Sequence, residues 1–418
     1  MEAIKSESIN TGAAKEAVTR LIPTIQKVEN YLTRYYRFRY NEVTGKIEWQ
    51  ILDDVTGFKP MSDFQINSLV RKLVKADIAC SSSMLRNILL SDYTPVFNPF
   101  KHYLANVPAW DGQTDYIKQL AATVSTTDDE LWQMCFRKWL VAMVGSLVKD
   151  EVVNHTVIVF SGKQGVGKTT WVLNLVPKQL KEHCFSGTIN PANKDTLIQL
   201  SECMLINLDE LENLNRNELG AMKEIITKAS IRMRRPYGYS TESMPRRASF
   251  AGSVNGKEFL SDTTGSRRFL CFEVTGIDYS HSVQLERVYS QALNLFQNGF
   301  QFWFNPAEID TINQNNEQYR CISVEEESLE TYFGPCLEED ADFFLSTTEL
   351  VNWFYQKVKM SVTDGSKQKM GKALRAHKFL RLKKNERYVY ALKEKGSGQL
   401  PTTRVTFTSK TNEIFPTG

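Results

Sequence analysis

A chain of 418 residues with 42% hydrophobic residues is long enough for two or three domains with packed cores, and a net charge of +3 identifies no partner class by itself. The longest apolar stretch, over residues 139–148, is too short to cross a membrane, and the N-terminus has no signal-peptide pattern. Seven scattered cysteines without a CxxC pair predict a soluble cytoplasmic protein with reduced thiols, no membrane association, no disulfide framework and no zinc site.

Residues 1–14 are polar and aperiodic and predict disorder. An amphipathic helix follows, to about Tyr35. Arg37-Phe38-Arg39-Tyr40 and Ile47-Glu48-Trp49-Gln50-Ile51 then flank Gly45 as a hairpin, and Asp63 and Ser83 can each open a short helix. Residues 1–95 therefore predict a small α/β accessory region, whose Arg34 to Arg39 aromatic and arginine run suits packing more than base stacking. Pro108-Ala109-Trp110-Asp111-Gly112 forms a loop into a helix from Asp115, and Asp128 or Asp129 caps a long apolar helix over residues 131–147. No paired-carboxylate motif stands where a primase would need one.

Gly162-Lys163-Gln164-Gly165-Val166-Gly167-Lys168-Thr169 fits G-x-x-x-x-G-K-S/T in full. Its flanks are an apolar β-branched run, Thr156-Val157-Ile158-Val159-Phe160, and a helix-forming run from Thr170 to Leu175. Strand, glycine loop and helix in that order predict a nucleotide triphosphate site. Gly162, Gln164, Gly165, Val166, Gly167, Lys168, Thr169 and Thr170 would bind ATP, with Lys168 at the β/γ-phosphates and Thr169 on Mg²⁺. The strand Cys203-Met204-Leu205-Ile206-Asn207-Leu208 ends in Asp209 and Glu210, forty positions beyond Thr169. Asp209 is placed to hold the Mg²⁺ shell, and Glu210 to polarise the attacking water.

A helix over residues 217–229 leads into a basic segment in which Lys228, Arg232, Arg234, Arg235, Arg246 and Arg247 surround Tyr237-Gly238-Tyr239, predicting a hairpin opposed only by Glu242. Residues 248–255 form another buried strand, with Asn255 at the end where a γ-phosphate sensor would sit. Arg267 and Arg268 open the strand from Phe269 to Val274. Residues 286–304 suit a helix, and residues 323–342 hold eight Asp/Glu and no Lys/Arg. Residues 357–395 hold thirteen Lys/Arg against three Asp/Glu, which fits either a solvated face or a nucleic-acid surface. Ser346-Thr347-Thr348-Glu349 is a capping box. A basic helix over residues 366–374 and two strands about Lys384-Asn385 follow, so this region looks like a winged helix with Lys367, Lys369 and Lys372 on the helix that enters the DNA major groove.

Four features in sequence resemble the virulence-associated E family of P-loop ATPases, relatives of superfamily 3 helicases within the AAA+ group. They are the glycine loop, the Leu-Asp-Glu strand, the basic hairpin, and Ser-Val-Asn followed by Gly-Ser-Arg-Arg-Phe. The likeness spans about residues 95–300, and Pro108 to Gly112, Lys138-Trp139-Leu140-Val141, Asn193-Lys194-Asp195 and Arg234-Arg235-Pro236-Tyr237 are also similar to that family's pattern. It implies catalytic roles for Lys168, Asp209, Glu210, Asn255, Arg267 and Arg268, the arginines reaching a neighbouring subunit. Asn207 departs from the pattern, standing where an acidic or apolar residue is usual. Members often carry an upstream primase domain, and none is expected here.

These readings predict an α/β protein with an AAA+-like P-loop parallel sheet core. The expected divisions are an accessory region (1–95), the ATPase domain (96–304), an acidic linker (305–342), a winged helix (343–395) and a tail (396–418). The expected function is an ATP- and Mg²⁺-dependent DNA helicase of a phage or mobile element, working as a homo-oligomeric ring for which a hexamer is one expected size. Single-stranded DNA would lie in the channel against Arg232, Arg234 and Arg235, and duplex at the winged helix. The alternative is a DNA-binding initiator or switch that uses ATP for assembly without unwinding.

Overall fold

The computed structural model describes residues 11–189, 193–209, 211, 216–235, 240–256, 258–260, 266–384 and 386–395. Several predicted features lie outside them: the polar residues 1–10, Glu210, the Pro236 to Tyr239 turn, Thr264-Gly265, Asn385 and the 396–418 tail. The chain forms two compact units, Met1–Arg320 and Cys321–Gly418. Among the described residues no helix is long and apolar enough to cross a membrane.

The first unit opens with α1 (Thr11–Tyr35), which begins inside the stretch expected to be disordered. It leads into β1 (Tyr36–Asn41) and β2 (Lys46–Ile51), the predicted hairpin about Gly45, where φ is +67°. β3 (Lys59–Pro60), α2 (Asp63–Lys75), α3 (Ser82–Leu89) and β4 (Val96–Phe97) complete a small sheet of order β3-β2-β1-β4. The two helices are capped by Ser62 and Ser81, one and two positions ahead of the predicted caps. Val28, Leu32, Phe38, Leu69, Leu73 and Leu85 form its core, and Arg39 is spent between the Phe58 and Phe97 rings and on Glu48.

Next come α4 (Pro99–Asn106), α5 (Tyr116–Ala121), β5 (Val124–Thr126) and α6 (Asp129–Val148), the last capped by Asp128. β6 (Val157–Ser161), α7 (Lys168–Asn174), β7 (Cys184–Ser186), α8 (Lys194–Glu202), β8 (Leu205–Leu208) and α9 (Arg216–Thr227) follow. β9 (Ser230–Met233) and β10 (Glu242–Pro245) form the basic hairpin, and β11 (Ser249–Val254), β12 (Phe269–Ile277), α10 (Leu285–Gln297) and α11 (Pro306–Asn316) close the unit.

The main sheet has the order β5-β12-β6-β11-β8-β7, parallel except for β5. Residues of β6 alternate between its two faces: Ile158 and Phe160 join the cluster under α6, Val157 and Val159 the cluster under α9. A sheet covered on both faces explains why its strands read as continuous apolar runs. The α6 face is the larger core, in which Trp132, Phe136, Phe160, Trp171 and Phe272 interlock with ring centroids 5.0–6.0 Å apart. Both buried indoles of α6 find carbonyls: Trp132 donates to Ala121 at 2.9 Å and Trp139 to Phe250 at 3.1 Å, removing the penalty for an orphaned N–H.

The second unit contains α12 (Val324–Tyr332), β13 (Phe333–Pro335), β14 (Phe343–Leu345), α13 (Thr347–Val358), α14 (Asp364–Ala376), β15 (Arg381–Lys384) and β16 (Arg387–Glu394). β14 and β15 lie on opposite edges of β16, because both pair with Tyr390. The capping box at Ser346 and Glu349 is formed, with the Ser346 amide donating to Glu349 at 2.8 Å. Residues 305–342 are not a linker: α11 braces the first unit through Asn316, which donates to the Ser266 and Phe269 carbonyls, while α12 and β13 put Leu329 and Phe333 into the second core. The unit boundary falls at 320/321, inside the expected linker, because the acidic residues of α12 acquire basic partners on α14.

Candidate active site

β6 ends at Ser161 and the chain turns through Gly162, Gly165 and Gly167, with φ of +142°, +84° and +93°. These are left-handed values that a side chain would strain. Two of the glycines are needed for space as well. A Cβ on Gly162 would lie 3.1 Å from the Val274 carbonyl of β12, and one on Gly167 would collide with Cδ1 of Tyr279. Lys168 begins α7 and is buried, its ammonium donating to the carbonyls of Gly162 at 2.6 Å and Lys163 at 2.9 Å. Gln164, Gly165 and Thr170 are exposed, and Val166, Gly167 and Thr169 half-buried.

Asp209 follows the C-terminal end of β8, and both of its carboxylate oxygens are held. Asn207 donates to one at 2.6 Å and Ser186, at the end of β7, donates to the other at 2.7 Å; the Asn207 amide also donates to Ser186 at 2.9 Å. Asn207 is fully buried, and its Oδ1 has no hydrogen-bond partner among the described residues. The residue that departs from the family pattern therefore orients the acid two positions on. Ser186 was missed in the sequence, since a serine ending a three-residue edge strand carries no signal. The buried Asn207 was the available clue, because a fully buried amide requires partners.

β11 lies between β6 and β8, pairing Val254 with Ser161 and Gly252 with Leu208, so Asn255, the glycine loop and Asp209 follow the same ends of three adjacent parallel strands. The Ser161 hydroxyl donates to the Gly256 carbonyl at 3.0 Å, tying the start of the loop to the Asn255 turn. Arg267 and Arg268 are not brought to this edge. They precede Phe269, which pairs with Val157 at the opposite end of β6, so four residues of strand at about 3.3 Å each separate them from Ser161, roughly 13 Å. Arg267 is exposed, Arg268 half-buried, and neither forms an ion pair with a described residue.

The basic hairpin divides into two kinds of arginine. Arg232 and Arg234 are exposed. Arg235, expected on the DNA surface, is instead a structural hub with a side chain only 12% exposed: it contacts Glu202 at 3.1 Å and Glu242 at 3.2 Å and donates to the Val43 carbonyl at 3.0 Å, lying over Gly45. Arg246 is fully buried at the hairpin base, donating to the carbonyls of Lys228 (2.9 Å), Asn154 (2.6 Å), Ile226 (3.0 Å) and Ala248. Burial pushes its pKa down to about 9, which leaves it charged at neutral pH. Arg247 is buried too, 3.3 Å from Asp150.

Pairing also sorts the lysines of α14. Lys367 meets Asp364 at 3.0 Å in an exposed pair one helical turn apart, and Lys369 meets the nearly buried Glu325 of α12 at 3.6 Å. Lys372 is exposed, as is Arg375, and neither has an ion-pair partner among the described residues. At the helix end His377 lies 2.7 Å from Glu326 and 3.1 Å from Glu330.

Three solved structures of one protein are similar to this chain. "The apo structure of NrS-1 C terminal region (305-718)" shows 14% identity and a TM-score of 0.47, covering 89% of this chain and 99% of that chain. Its A form apo structure shows 13% identity and a TM-score of 0.44 with the same coverage, and a further A form structure 14% and 0.43, covering 88% and 99%. No curated protein sequence matches. The family model described as the virulence-associated protein E-like domain matches residues 104–321, which run from the end of α4 through the main sheet, the basic hairpin and α11. With that match extending over half of its length, the chain belongs to the virulence-associated protein E-like family.

Proposed function

We propose that this chain is an ATP-hydrolysing DNA motor with an AAA+-type P-loop core and a C-terminal winged helix, acting as a ring-forming helicase in replication of a phage or other mobile element. One observation carries the reading: the glycine loop, Asn255 and Asp209 follow the carboxyl ends of three neighbouring parallel strands, the edge at which open α/β sheets bind ligands. Lys168 would exchange its two loop carbonyls for β- and γ-phosphate oxygens, a charge-assisted and stronger pairing. Thr169 and Asp209 are hard oxygen donors suited to Mg²⁺, and Asp209 keeps free lone pairs because each of its oxygens accepts one described side-chain bond. An Mg²⁺ ion held by these residues would supply positive charge to offset that of the phosphates. Glu210 would polarise the attacking water, and Asn255 would sense the γ-phosphate.

DNA binding rests on exposed cations. Arg232 and Arg234 would grip a single strand in the ring. In the second unit, α12, β14, α13, α14, β15 and β16 follow the order of a winged helix, with the short strand β13 added after α12, and Lys372 and Arg375 of α14 would face duplex. Lys367 can join them, since an exposed pair such as Lys367–Asp364 contributes well under about 1 kcal/mol. Lys369 is committed to Glu325. The deciding experiment measures ATP hydrolysis with and without single-stranded DNA, with Lys168→Ala as the blank. DNA-stimulated turnover that Lys168→Ala abolishes is the expected result; absence of turnover in the wild-type protein rejects the motor. Strand displacement then separates a helicase from an initiator that uses ATP for assembly alone.

A further inference from the structure

We propose that Tyr279 is the platform on which the base of the bound nucleotide stacks, an inference that rests on the nucleotide reading of the glycine loop. Tyr279 follows β12, and its ring lies against Gly167 closely enough that a Cβ there would collide with Cδ1 and force the ring to move. The backbone around it is pinned on both sides. Asp278 donates its amide to the Thr123 carbonyl at 2.8 Å, and the Tyr279 carbonyl accepts from Asn174 of α7 at 3.1 Å. The Thr123 hydroxyl in turn accepts from the Trp171 indole of α7 at 2.8 Å, and the Ser280 amide donates to Asp278 at 3.1 Å.

Trp171 and Asn174 lie three apart on one face of α7, whose N-cap is Gly167, so the Tyr279 segment is strapped along that face from the cap onward. Yet the residue remains 49% exposed. A ring whose main chain is fixed while half of it stays open to solvent offers a flat apolar surface with little entropy left to lose on stacking. Its position suits the nucleoside end. The γ- and β-phosphates belong to Lys168 and the loop, and the chain continues through Thr169 and Thr170 along the helix that Tyr279 flanks. Stacking uses the face of a base and not its edge, so the platform favours the larger purines and separates adenine from guanine poorly.

The test measures binding of ATP, GTP, CTP and inorganic tripolyphosphate by calorimetry, in the wild-type protein and in Tyr279→Ala, Tyr279→Leu and Tyr279→Trp. Removing the aromatic face should weaken ATP and GTP about tenfold and leave tripolyphosphate unchanged, with Tyr279→Trp at or above wild-type affinity. Tyr279→Leu keeps apolar contact with Gly167, so a thermal melt like that of the wild type guards against loss of the loop. If tripolyphosphate weakens as much as ATP, the ring only shapes the loop and the platform is rejected; unchanged ATP affinity in both Tyr279→Ala and Tyr279→Leu rejects it as well. A wild-type protein that binds neither ATP nor tripolyphosphate takes down the nucleotide reading itself.

Discussion

The amide of Asn207 lies 2.6 Å from a carboxylate oxygen of Asp209, and at full burial it has no solvent alternative. Together with Ser186 it fixes the direction in which Asp209 presents its remaining lone pairs. In the proposed role of Asp209 these partners would hold a metal ligand without touching the metal, and removal of such partners typically changes affinity or activity by about 10- to 100-fold.

Asn207→Leu should therefore lower Mg²⁺-dependent hydrolysis by at least about tenfold while the fold persists. Leucine keeps the branched shape and also eliminates the unpartnered Asn207 Oδ1, which offsets part of the lost bonding. Mg²⁺ titration of turnover, beside a thermal melt, checks this. A variant with unaltered Mg²⁺ dependence would show that Asp209 needs no clamp. Asn207→Asp should be worse, because it replaces a buried donor to Asp209 with a carboxylate that repels it.

Arg235 and Arg234 are neighbours with opposite expected phenotypes. Arg235→Ala removes the partner of Glu202, whose pKa burial already raises, and the donor to the Val43 carbonyl. The expected loss is about 2 kcal/mol of unfolding free energy. Arg234→Ala should melt within about 0.5 kcal/mol of the wild type, yet reduce single-stranded DNA affinity and the salt slope by about 0.7 per phosphate contact. Denaturant unfolding and salt-dependent binding of both variants decide the matter; an Arg235→Ala protein as stable as the wild type would return that residue to the DNA surface.

His183 supplies a pH dependence. It is buried against Phe100, its Nδ1 is 2.7 Å from the Glu202 carbonyl, and burial lowers its pKa below 6.5. The unfolded chain therefore takes up a proton near pH 6.5 that the folded chain refuses. Its stabilising contribution is complete above that pH and is lost as pH falls from there toward the folded value. Between pH 7.5 and 5.5 the wild-type melting temperature should fall further than that of His183→Asn, which keeps a donor for the Glu202 carbonyl but does not titrate. His155, also lowered by burial, remains in both proteins and cancels from the comparison. Parallel curves would refute the assignment.

How much the sequence revealed depended on where the determining contacts lie. The strand, glycine loop and helix around Lys168 could be read because every cue is local, and β8, β11 and β12 because strands buried on both faces are continuously apolar. β5 and β7 have three residues each, too few for a pattern. α12 read as an acidic linker because its Glu325 and Glu326 become buried only beside Lys369 of α14 and His377 just past its end. The partners of Arg235 were hidden for the same reason. A run of positive charge is visible in one dimension, but Val43, whose carbonyl Arg235 holds, is separated from it by 192 positions.

The separation of Arg267 and Arg268 from their own glycine loop yields the last expectation. They enter β12 at the end of the sheet away from Ser161, roughly 13 Å along the strands, whereas a guanidinium that stabilises phosphoryl transfer must touch the phosphate. Arginines so placed cannot serve the loop on the same sheet edge without crossing the sheet, but at that end the exposed Arg267, with the half-buried Arg268 beside it, can serve a neighbouring copy. A protein with Arg267→Ala and Arg268→Ala should then lose on the order of 10³ in turnover while binding ATP normally, and Lys168→Ala should be inactive through a different lesion. Mixed together, the two inactive proteins form some interfaces in which an intact loop faces intact arginines, and activity should return in proportion to the fraction of such interfaces. Titrating one variant against the other at fixed total concentration, with sedimentation in ATP and DNA to follow assembly, measures that fraction. A mixture that assembles but stays inactive at every ratio rules out arginines acting across subunits, and a chain that remains monomeric with ATP and DNA rules out the ring.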